Sequence, residues 1–306
     1  MSVIGIDTSN YTTSIAYFDG HCGENCSELL PVRQGELGLR QSDAVFAHIK
    51  SLPVLSGRLF CNVQAADIQA IGVSTRPRAV EGSYMPCFMV GYSHGKMLAD
   101  LLNVPLFEVS HQQGHVAASL WSAGRMDLMD KPHLAWHLSG GTTELLLVEP
   151  DGKNVKCNRI GGTTDISAGQ LIDRTGVLLG LPFPCGKHLD QLSQNAIEKD
   201  LFKVKCPAME FSLSGVQNKV EQYHANHSKE ETAAYALRCV SYAIRQATAN
   251  ALKEYPGLEV VFSGGVASNT MIRNDMRMLG AIFSKPEFST DNAMGVAVLA
   301  NRLREG

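Results

Sequence analysis

The sequence predicts an α/β protein made of two similar units, and one duplicated pattern carries this prediction. A hydroxyl-rich turn, Ser9-Asn10-Tyr11-Thr12-Thr13, lies between two apolar runs, and the same arrangement returns around Ser139-Gly140-Gly141-Thr142-Thr143. Each copy predicts a strand, a tight turn and a second strand. Small residues let backbone N–H groups approach an anion. We therefore expect two lobes that face each other across the phosphates of a nucleotide.

Length and composition agree with two globular units. The chain has 306 residues, 44% hydrophobic content and a net charge of −3, so it is long enough for two cores and has no global basic field for nucleic acid. Its 8 cysteines are scattered, which is typical of reduced thiols in the cytoplasm. With no membrane-length apolar run, we expect a cytoplasmic protein that does not enter a membrane.

In the first half, apolar runs that alternate with helical patterns predict the elements in order. Ile68 to Val73 is largely apolar, as in a buried strand, and Ala117 and Leu120 favour a helix. The predicted elements are strands at 3–6, 14–18 and 27–32, a helix from Asp43 that Pro53 interrupts or bends, a strand at 68–73, a helix within 82–102, a strand at 105–109 and a helix at 111–121.

The second half repeats this plan. Ser167 is a candidate N-cap, and Gln170 completes the capping-box pattern. The predicted elements are strands at 134–138, 144–148 and 155–160, a helix at 167–179, a helix at 230–255, a strand at 258–262 and a last helix at 292–304. We expect an N-terminal lobe at 1–110, completed by helix 292–304. The C-terminal lobe is expected at 111–291, with an inserted irregular segment at about 182–226.

The His111-Gln112-Gln113-Gly114-His115 segment is the sharpest local motif. Two histidines four residues apart on a helix lie on one face and can bind the same metal ion. A third ligand must come from elsewhere, and Asp291 is the best candidate, although it can equally be a helix N-cap. Gln112 stands where a zinc peptidase has its glutamate base, which disfavours peptidase activity.

A diglycine turn follows the strand at 258–262. Gly264 and Gly265 let the backbone lie close to a ligand, and Asn269 offers an amide to a base or ribose. Tight packing alone also produces a strand, two glycines and a helix. Together with the two hydroxyl-rich turns, however, the segment favours nucleotide binding.

Taken together, these motifs resemble the TsaD/Gcp family, the tRNA threonylcarbamoyladenosine transferases once labelled O-sialoglycoprotein endopeptidases. The motifs that carry the resemblance are His111/His115, Ser139-Gly140-Gly141-Thr142, Phe211-Ser212-Leu213-Ser214-Gly215, Ser263-Gly264-Gly265-Val266-Ala267-Ser268-Asn269 and Thr290-Asp291-Asn292. The resemblance implies the actin/hexokinase-like ATPase (ASKHA) fold, with two duplicated RNase H-like lobes around a nucleotide cleft.

The resemblance also implies a site. One divalent metal ion, iron by analogy with zinc or manganese as alternatives, is expected on His111, His115 and Asp291. The expected substrate and nucleotide contacts are Leu138, Ser139, Gly140, Gly141, Thr142, Asp173, Gly186, Asp190, Gly264, Gly265 and Asn269, with Thr8, Ser9 and Asn10 as the phosphate turn of the first lobe. From the residues alone, Asp173 is either a ribose acceptor or a solvated charge.

The implied activity is transfer of a threonylcarbamoyl group from threonylcarbamoyl-adenylate to a tRNA adenosine, expected at position 37. Implied partners are tRNA, helper subunits of the TsaB and TsaE kind, and an adenine nucleotide. The chain departs from the family pattern at Thr12, where a glutamate is usual, so the catalytic residues stay open. A nucleotide-binding regulatory or assembly protein without transferase activity is the alternative, and a metallopeptidase is less favoured. Arg76-Pro77-Arg78-Ala79 replaces the usual Gly-Pro-Gly-Leu and adds two positive charges, which either meet phosphate or carboxylate groups or are solvated.

Overall fold

The computed structural model describes residues 2–31, 39–197 and 199–305. In chain order the strands are β1 (Ser2–Thr8), β2 (Thr12–Phe18), β3 (Gly23–Leu29), β4 (Ile68–Arg76), β5 (Leu106–Ser110), β6 (His133–Leu138), β7 (Thr143–Asp151), β8 (Asn154–Thr163), β9 (Glu210–Phe211), β10 (Val260–Ser263) and β11 (Ile282–Phe283). The helices are α1 (Gln41–Leu59), α2 (Phe88–Leu102), α3 (His111–Ser122), α4 (Ala168–Leu178), α5 (Gly186–Ser193), α6 (Ser214–His224), α7 (Lys229–Glu254), α8 (Thr270–Arg277) and α9 (Met294–Arg304). Within the described ranges, none of these helices has the length and apolar character needed to cross a bilayer.

The first sheet has the strand order β3-β2-β1-β4-β5. β1, β2 and β3 are antiparallel neighbours, whereas β4 runs parallel to β1 and β5 parallel to β4. β1 is buried along its whole length, because helices cover both of its faces. Ile4 shares a hydrophobic cluster with Leu52 of α1. On the other face, a Cβ on Gly5 would come within 2.5 Å of the Ala293 carbonyl oxygen at the start of α9.

The second sheet has the order β11-β10-β6-β7-β8-β9. β6 and β7 are antiparallel, while β10 runs parallel to both β6 and β11. Trp136 and Phe262 stack in its core with ring centroids 6.3 Å apart, and Trp136 Nε1 donates to Thr248 Oγ1 of α7 at 2.9 Å. The order β8-β7-β6-β10-β11 repeats the order of the first sheet, which confirms the predicted duplication.

The chain divides into two compact units. The first contains Met1–Lys131, Glu149–Cys157 and Asp291–Gly306, and the second contains Pro132–Val148 and Asn158–Thr290. This division differs from the expected boundary at residue 110, because the first unit also includes α3 and Asp291.

Close helix packing explains why α3 belongs to the first unit. Gly295 on α9 lies so near α3 that a Cβ there would overlap the Gly114 carbonyl oxygen. Because both positions are glycine, the two helix backbones can touch. This contact brings the start of α9, with Asp291 just before it, to the helix that carries His111 and His115.

Three expectations about secondary structure are corrected. The segment at 182–226 is not simply irregular, since it contains α5, β9 and α6, and Leu189 and Val220 on these helices are buried in the second core. Pro53 does not interrupt the first helix, because α1 continues through it to Leu59. The strand predicted at 27–32 ends at Leu29 in the structure, and Val32 lies outside the described residues.

Candidate metal centre

Helix α3 starts directly after β5 because Ser110 and Gln113 form a capping box. The Ser110 hydroxyl accepts a hydrogen bond from Gln113 N–H at 3.2 Å, and Gln113 Oε1 accepts one from Ser110 N–H at 2.8 Å. This box fixes His111 as the first helical residue and places His115 one turn later on the same face.

Three predicted ligands converge within the first unit. His111 Nε2 lies 3.0 Å from His115 Nε2, and Asp291 Oδ1 lies 3.2 Å from His115 Nε2 and 3.6 Å from His111 Nε2. Ligand atoms about 2.1 Å from an ion are separated by about 3.0 Å at right angles and about 3.4 Å in a tetrahedron. The observed separations therefore fit one ion bound by two imidazoles and a carboxylate. Such a set leaves coordination positions open for a substrate.

Asp7 contacts one of the candidate ligands and is not among the residues predicted from the sequence. Its carboxylate is 1% exposed and accepts a hydrogen bond from His111 Nδ1, at 3.0 Å to Oδ1 and 3.1 Å to Oδ2. Ser74 Oγ also donates to Asp7. A proton held on Nδ1 leaves Nε2 as the nitrogen that can bind a metal.

The sheet order explains why these residues meet. β1, β4 and β5 are neighbouring parallel strands, so their carboxyl ends lie at one edge of the sheet. Asp7, Ser74 and His111 stand at or just beyond those three ends. An acidic residue directly after the first apolar run was the sequence signal that could have identified Asp7.

The site carries a concentrated negative charge. Burial lowers the pKa of His111, but the charges of Asp7 and Asp291 and the hydrogen bond to Asp7 outweigh burial and raise this pKa to about 9. Two carboxylates therefore stabilise a positive charge at this position, and a bound divalent cation would take over the same electrostatic role.

The predicted phosphate turn of the first unit is strongly tethered to protein groups. Thr8 Oγ1 donates to the Cys87 carbonyl at 3.0 Å and accepts from Gly91 N–H at 3.1 Å. Ser9 Oγ donates to Asp291 Oδ2 at 3.2 Å. Asn10 Oδ1 accepts from a side chain of α1. Thr12 is buried at the start of β2, where it presents a hydroxyl and no carboxylate.

The second hydroxyl-rich turn is a tight hairpin in the second unit. Ser139 N–H donates to the Thr142 carbonyl at 2.8 Å, and Thr142 N–H donates to Ser139 Oγ at 3.0 Å. A Cβ on Gly140 or Gly141 would have no protein atom within 4 Å. The turn is therefore open beside its two glycines, and Gly140 is fixed from behind because its carbonyl accepts Ser167 Oγ at 2.6 Å.

The diglycine segment packs against the strand that precedes this hairpin. Gly264 has φ +92°, and a Cβ there would overlap the Leu138 carbonyl, so this position requires glycine. A Cβ on Gly265 would meet nothing within 4 Å. Asn269 Oδ1 caps α8 by accepting Met271 N–H at 3.1 Å, so this oxygen is already used by the protein.

The remaining candidate residues link α4, α5 and α8 within the same unit. Asp173 Oδ1 accepts Cys185 N–H at 2.9 Å, which anchors the residue next to Gly186, and burial raises the pKa of the Asp173 carboxyl. Asp190 Oδ2 accepts Thr270 N–H at 3.0 Å, next to Asn269. The hairpin, the diglycine turn and these carboxylates thus all lie within the second unit.

Asp165 is a second residue that the sequence reasoning did not select. Its carboxylate accepts the Ser212 hydroxyl at 2.5 Å, the Ser214 hydroxyl at 2.6 Å and Leu213 N–H at 2.8 Å. Burial opposes the shift, but these hydrogen bonds hold the pKa of Asp165 well below its usual range. The Phe211–Gly215 motif is therefore ordered as the acid-capped start of α6.

Comparisons with known proteins point to one family. A family model described as "TsaD: tRNA N6-adenosine threonylcarbamoyltransferase" matches residues 38–298. A Thermosipho africanus protein named tRNA N6-adenosine threonylcarbamoyltransferase is 29% identical over 323 residues, covering 99% of this chain and 94% of its own length. A Rhizobium etli protein of the same name is 28% identical over 331 residues, covering 97% and 87%.

Solved structures show the fold. Full-length HypF, in a phosphate- and nucleotide-bound form, aligns with a TM-score of 0.64 at 16% identity, covering 100% of this chain and 47% of its own. The chain thus spans about half the length of HypF. A ROK hexokinase from Thermus thermophilus aligns over 100% of both chains with a TM-score of 0.52 at 15% identity. The fold is the actin/hexokinase-like ATPase fold that the sequence predicted.

Proposed function

Because the chain belongs to the TsaD family of tRNA N6-adenosine threonylcarbamoyltransferases, we propose that it transfers a threonylcarbamoyl group from threonylcarbamoyl-adenylate to the N6 amine of a tRNA adenosine, at position 37 by analogy. The convergence of His111, His115 and Asp291 is the observation that carries this proposal, because their donor atoms lie within 4.8 Å of one another.

The three side chains would hold one divalent cation, with iron expected and zinc or manganese as alternatives. Such a cation neutralises charge on phosphate or carboxylate oxygens and polarises a neighbouring carbonyl. Asp7 would keep His111 in the tautomer that directs Nε2 to the cation, and Ser9 would fix Asp291. These residues supply orientation, which is the principal contribution of protein groups in such a transfer.

The reaction itself is acyl transfer from a mixed anhydride. The N6 lone pair forms a C–N bond to the carbamoyl carbon, the bond from that carbon to the phosphate oxygen breaks, and AMP leaves with the electron pair. The proton from N6 is released to solvent or to the leaving phosphate. The atoms therefore balance without any further reactant.

The second unit would bind the adenylate portion. Gly140 and Gly141 leave open space along the backbone of the hairpin, which suits close approach of phosphate oxygens. Asp173 would accept a ribose hydroxyl, and the amide of Asn269 would contribute through its nitrogen because its oxygen caps α8. Thr8 contributes less directly, since its hydroxyl already has two protein partners.

Transfer to tRNA requires positive surface that the chain has only locally, since its net charge is −3. Arg76 and Arg78 are exposed and lie beside the start of α3, because Gln112 N–H donates to the Pro77 carbonyl at 3.0 Å. We propose that these arginines meet RNA phosphates. Helper subunits of the TsaB and TsaE kind would supply the rest of the surface, in the cytoplasm.

A second candidate function is a nucleotide-binding regulatory or assembly protein without transfer activity. Thr12 favours this candidate, because its side chain is a buried hydroxyl at the position where the TsaD/Gcp pattern usually has a glutamate. This candidate predicts binding of threonylcarbamoyl-adenylate or ATP without formation of modified adenosine.

One assay separates the two. The purified chain is incubated with threonylcarbamoyl-adenylate, unmodified tRNA and helper proteins, and the digested nucleosides are analysed by mass spectrometry. We expect threonylcarbamoyl-adenosine with the wild-type chain and none with His111→Ala. Absence of the product with a folded, nucleotide-binding wild-type chain would instead support the regulatory candidate.

A further inference from the structure

A closed set of hydrogen bonds holds the connection between β1 and β2. Gln41 Nε2, at the start of α1, donates to Asn10 Oδ1 at 2.6 Å, and Gln41 Oε1 accepts Cys87 N–H at 3.4 Å. The carbonyl of Cys87 accepts Thr8 Oγ1 at 3.0 Å. Thr8 therefore binds Cys87 directly, and Asn10 is linked to Cys87 through Gln41. The residues on both sides of Ser9 are thus held at the start of α2.

Ser9 itself is 3% exposed and points to the metal centre. Its hydroxyl donates to Asp291 Oδ2 at 3.2 Å, while Asp291 Oδ1 lies 3.2 Å from His115 Nε2. The carboxylate therefore has one oxygen oriented by Ser9 and the other directed to the imidazoles. Rotation of the carboxylate would break the Ser9 contact.

We propose that Asn10 and Gln41 form a positioning pair for the metal centre, acting through Ser9 on the Asp291 carboxylate. The inference rests on the proposed function, because it assumes that the three ligands bind a cation. The amide pair links the turn that contains Asn10 to the start of α1. It stiffens a turn that has no carboxylate at Thr12.

The physical basis is preorganisation. Asp291 lies in the chain just before α9, whereas both histidines are fixed by α3. Of the three ligands, Asp291 therefore depends most on an outside contact for its orientation. Outer partners of metal ligands change metal affinity by about 10–100-fold, and a pair that acts one residue further away belongs at the lower end of that range.

Zinc binding by the full chain tests the proposal, using Zn²⁺ alone in competition with a chromophoric chelator. Asn10→Ala and Gln41→Ala should each weaken binding about tenfold, and the double variant should lose no more than either single variant, because both remove the same contact. Asn10→Asp keeps the acceptor oxygen and adds a negative charge near the cation, so it should bind zinc at least as tightly as the wild type does. Gln64→Ala, an exposed glutamine of the same unit, is the matched control.

Thermal unfolding of each zinc-free variant separates positioning from general destabilisation. A positioning pair changes zinc affinity while the melting temperature stays close to that of the wild type. Should Asn10→Ala fail to fold, Ser9→Ala replaces it and should lose at least as much zinc affinity as Gln41→Ala, because it removes the contact with Asp291 directly.

Unchanged zinc affinity in folded Gln41→Ala, or additive losses in the double variant, would overturn the positioning role while leaving the proposed function intact. A wild-type chain that binds no zinc, iron or manganese would instead overturn the metal centre, and the positioning role with it.

Discussion

Replacing Asp7 by asparagine removes one buried negative charge while keeping the shape of the side chain. In the wild type both carboxylate oxygens face His111 Nδ1, at 3.0 and 3.1 Å, and Ser74 donates to the same carboxylate. The asparagine oxygen can still accept from Nδ1, and its amide can donate to Ser74. The perturbation therefore changes the charge that orients the imidazole and leaves the packing in place.

The expected effect is a loss of metal affinity. A hydrogen bond to a charged partner contributes about 1.5–3 kcal/mol, compared with about 0.5–1.5 kcal/mol for a neutral pair. Loss of an outer partner of a ligating histidine weakens metal binding by about 10–100-fold, which corresponds to about 1.4–2.7 kcal/mol. We expect Asp7→Asn to fall within this range, because Asp7 is nearly excluded from water.

Isothermal titration of the metal-free protein with Zn²⁺ or Mn²⁺ measures the change, and circular dichroism checks that the fold is retained. Ser74→Ala is the control: it keeps the Asp7 charge and should lose less affinity than Asp7→Asn. Wild-type affinity in a folded Asp7→Asn variant would refute the assignment of Asp7 as the residue that orients His111.

Three further predictions concern other parts of the chain. The low pKa of Asp165 stabilises the fold above the ordinary aspartate pKa of about 3.9, and this stabilisation is lost as the pH falls below that value. In urea titrations, Asp165→Asn should therefore lower the free energy of unfolding by about 1 kcal/mol at pH 7 and by less at pH 3. Equal losses at the two pH values would contradict this prediction. Replacing Arg76 and Arg78 with glutamine should reduce the slope of log tRNA affinity against log salt concentration by about 1–2, measured by fluorescence anisotropy with helper proteins present. An unchanged slope would exclude contact of these arginines with RNA phosphates. Gly264→Ala should destabilise the protein by about 3 kcal/mol or more, because residue 264 has φ +92° and a Cβ there would overlap the Leu138 carbonyl. Gly265→Ala is the control, and it should change the unfolding midpoint far less because its Cβ would meet no protein atom within 4 Å.

The sequence predicted local features well where one short segment determines them. The capping box predicted for α4 from Ser167 and Gln170 is present with both hydrogen bonds, because a serine and a glutamine three residues apart are sufficient to form it. The structure shows the same box at Ser110 and Gln113 of α3. Each copy of the repeated strand-turn-strand pattern forms an antiparallel pair, β1 with β2 and β6 with β7, because neighbouring strands joined by a short turn pair locally. His111 and His115 could be paired because helix geometry alone places them on one face.

Residues that meet only through the sheet order could not be predicted. Asp7 and His111 are 104 positions apart, and their contact depends on β4 lying between β1 and β5. The first unit extends beyond the expected boundary at residue 110, because Gly114 and Gly295 allow α3 and α9 to touch. This contact joins distant parts of the chain and has no local signal in the sequence. Likewise, α5 is only eight residues long, and a helix that short gives a weak periodic signal among prolines, cysteines and glycines.

Metal content provides the most direct test of the central claim that His111, His115 and Asp291 form one cation site. The chain would be purified without oxygen, loaded separately with iron, zinc or manganese, desalted and analysed by mass spectrometry of the metal. The account predicts one tightly bound ion per wild-type chain and its loss in both His115→Ala and Asp291→Ala. A wild-type chain that retains none of the three metals, or variants that retain as much as the wild type, would contradict it.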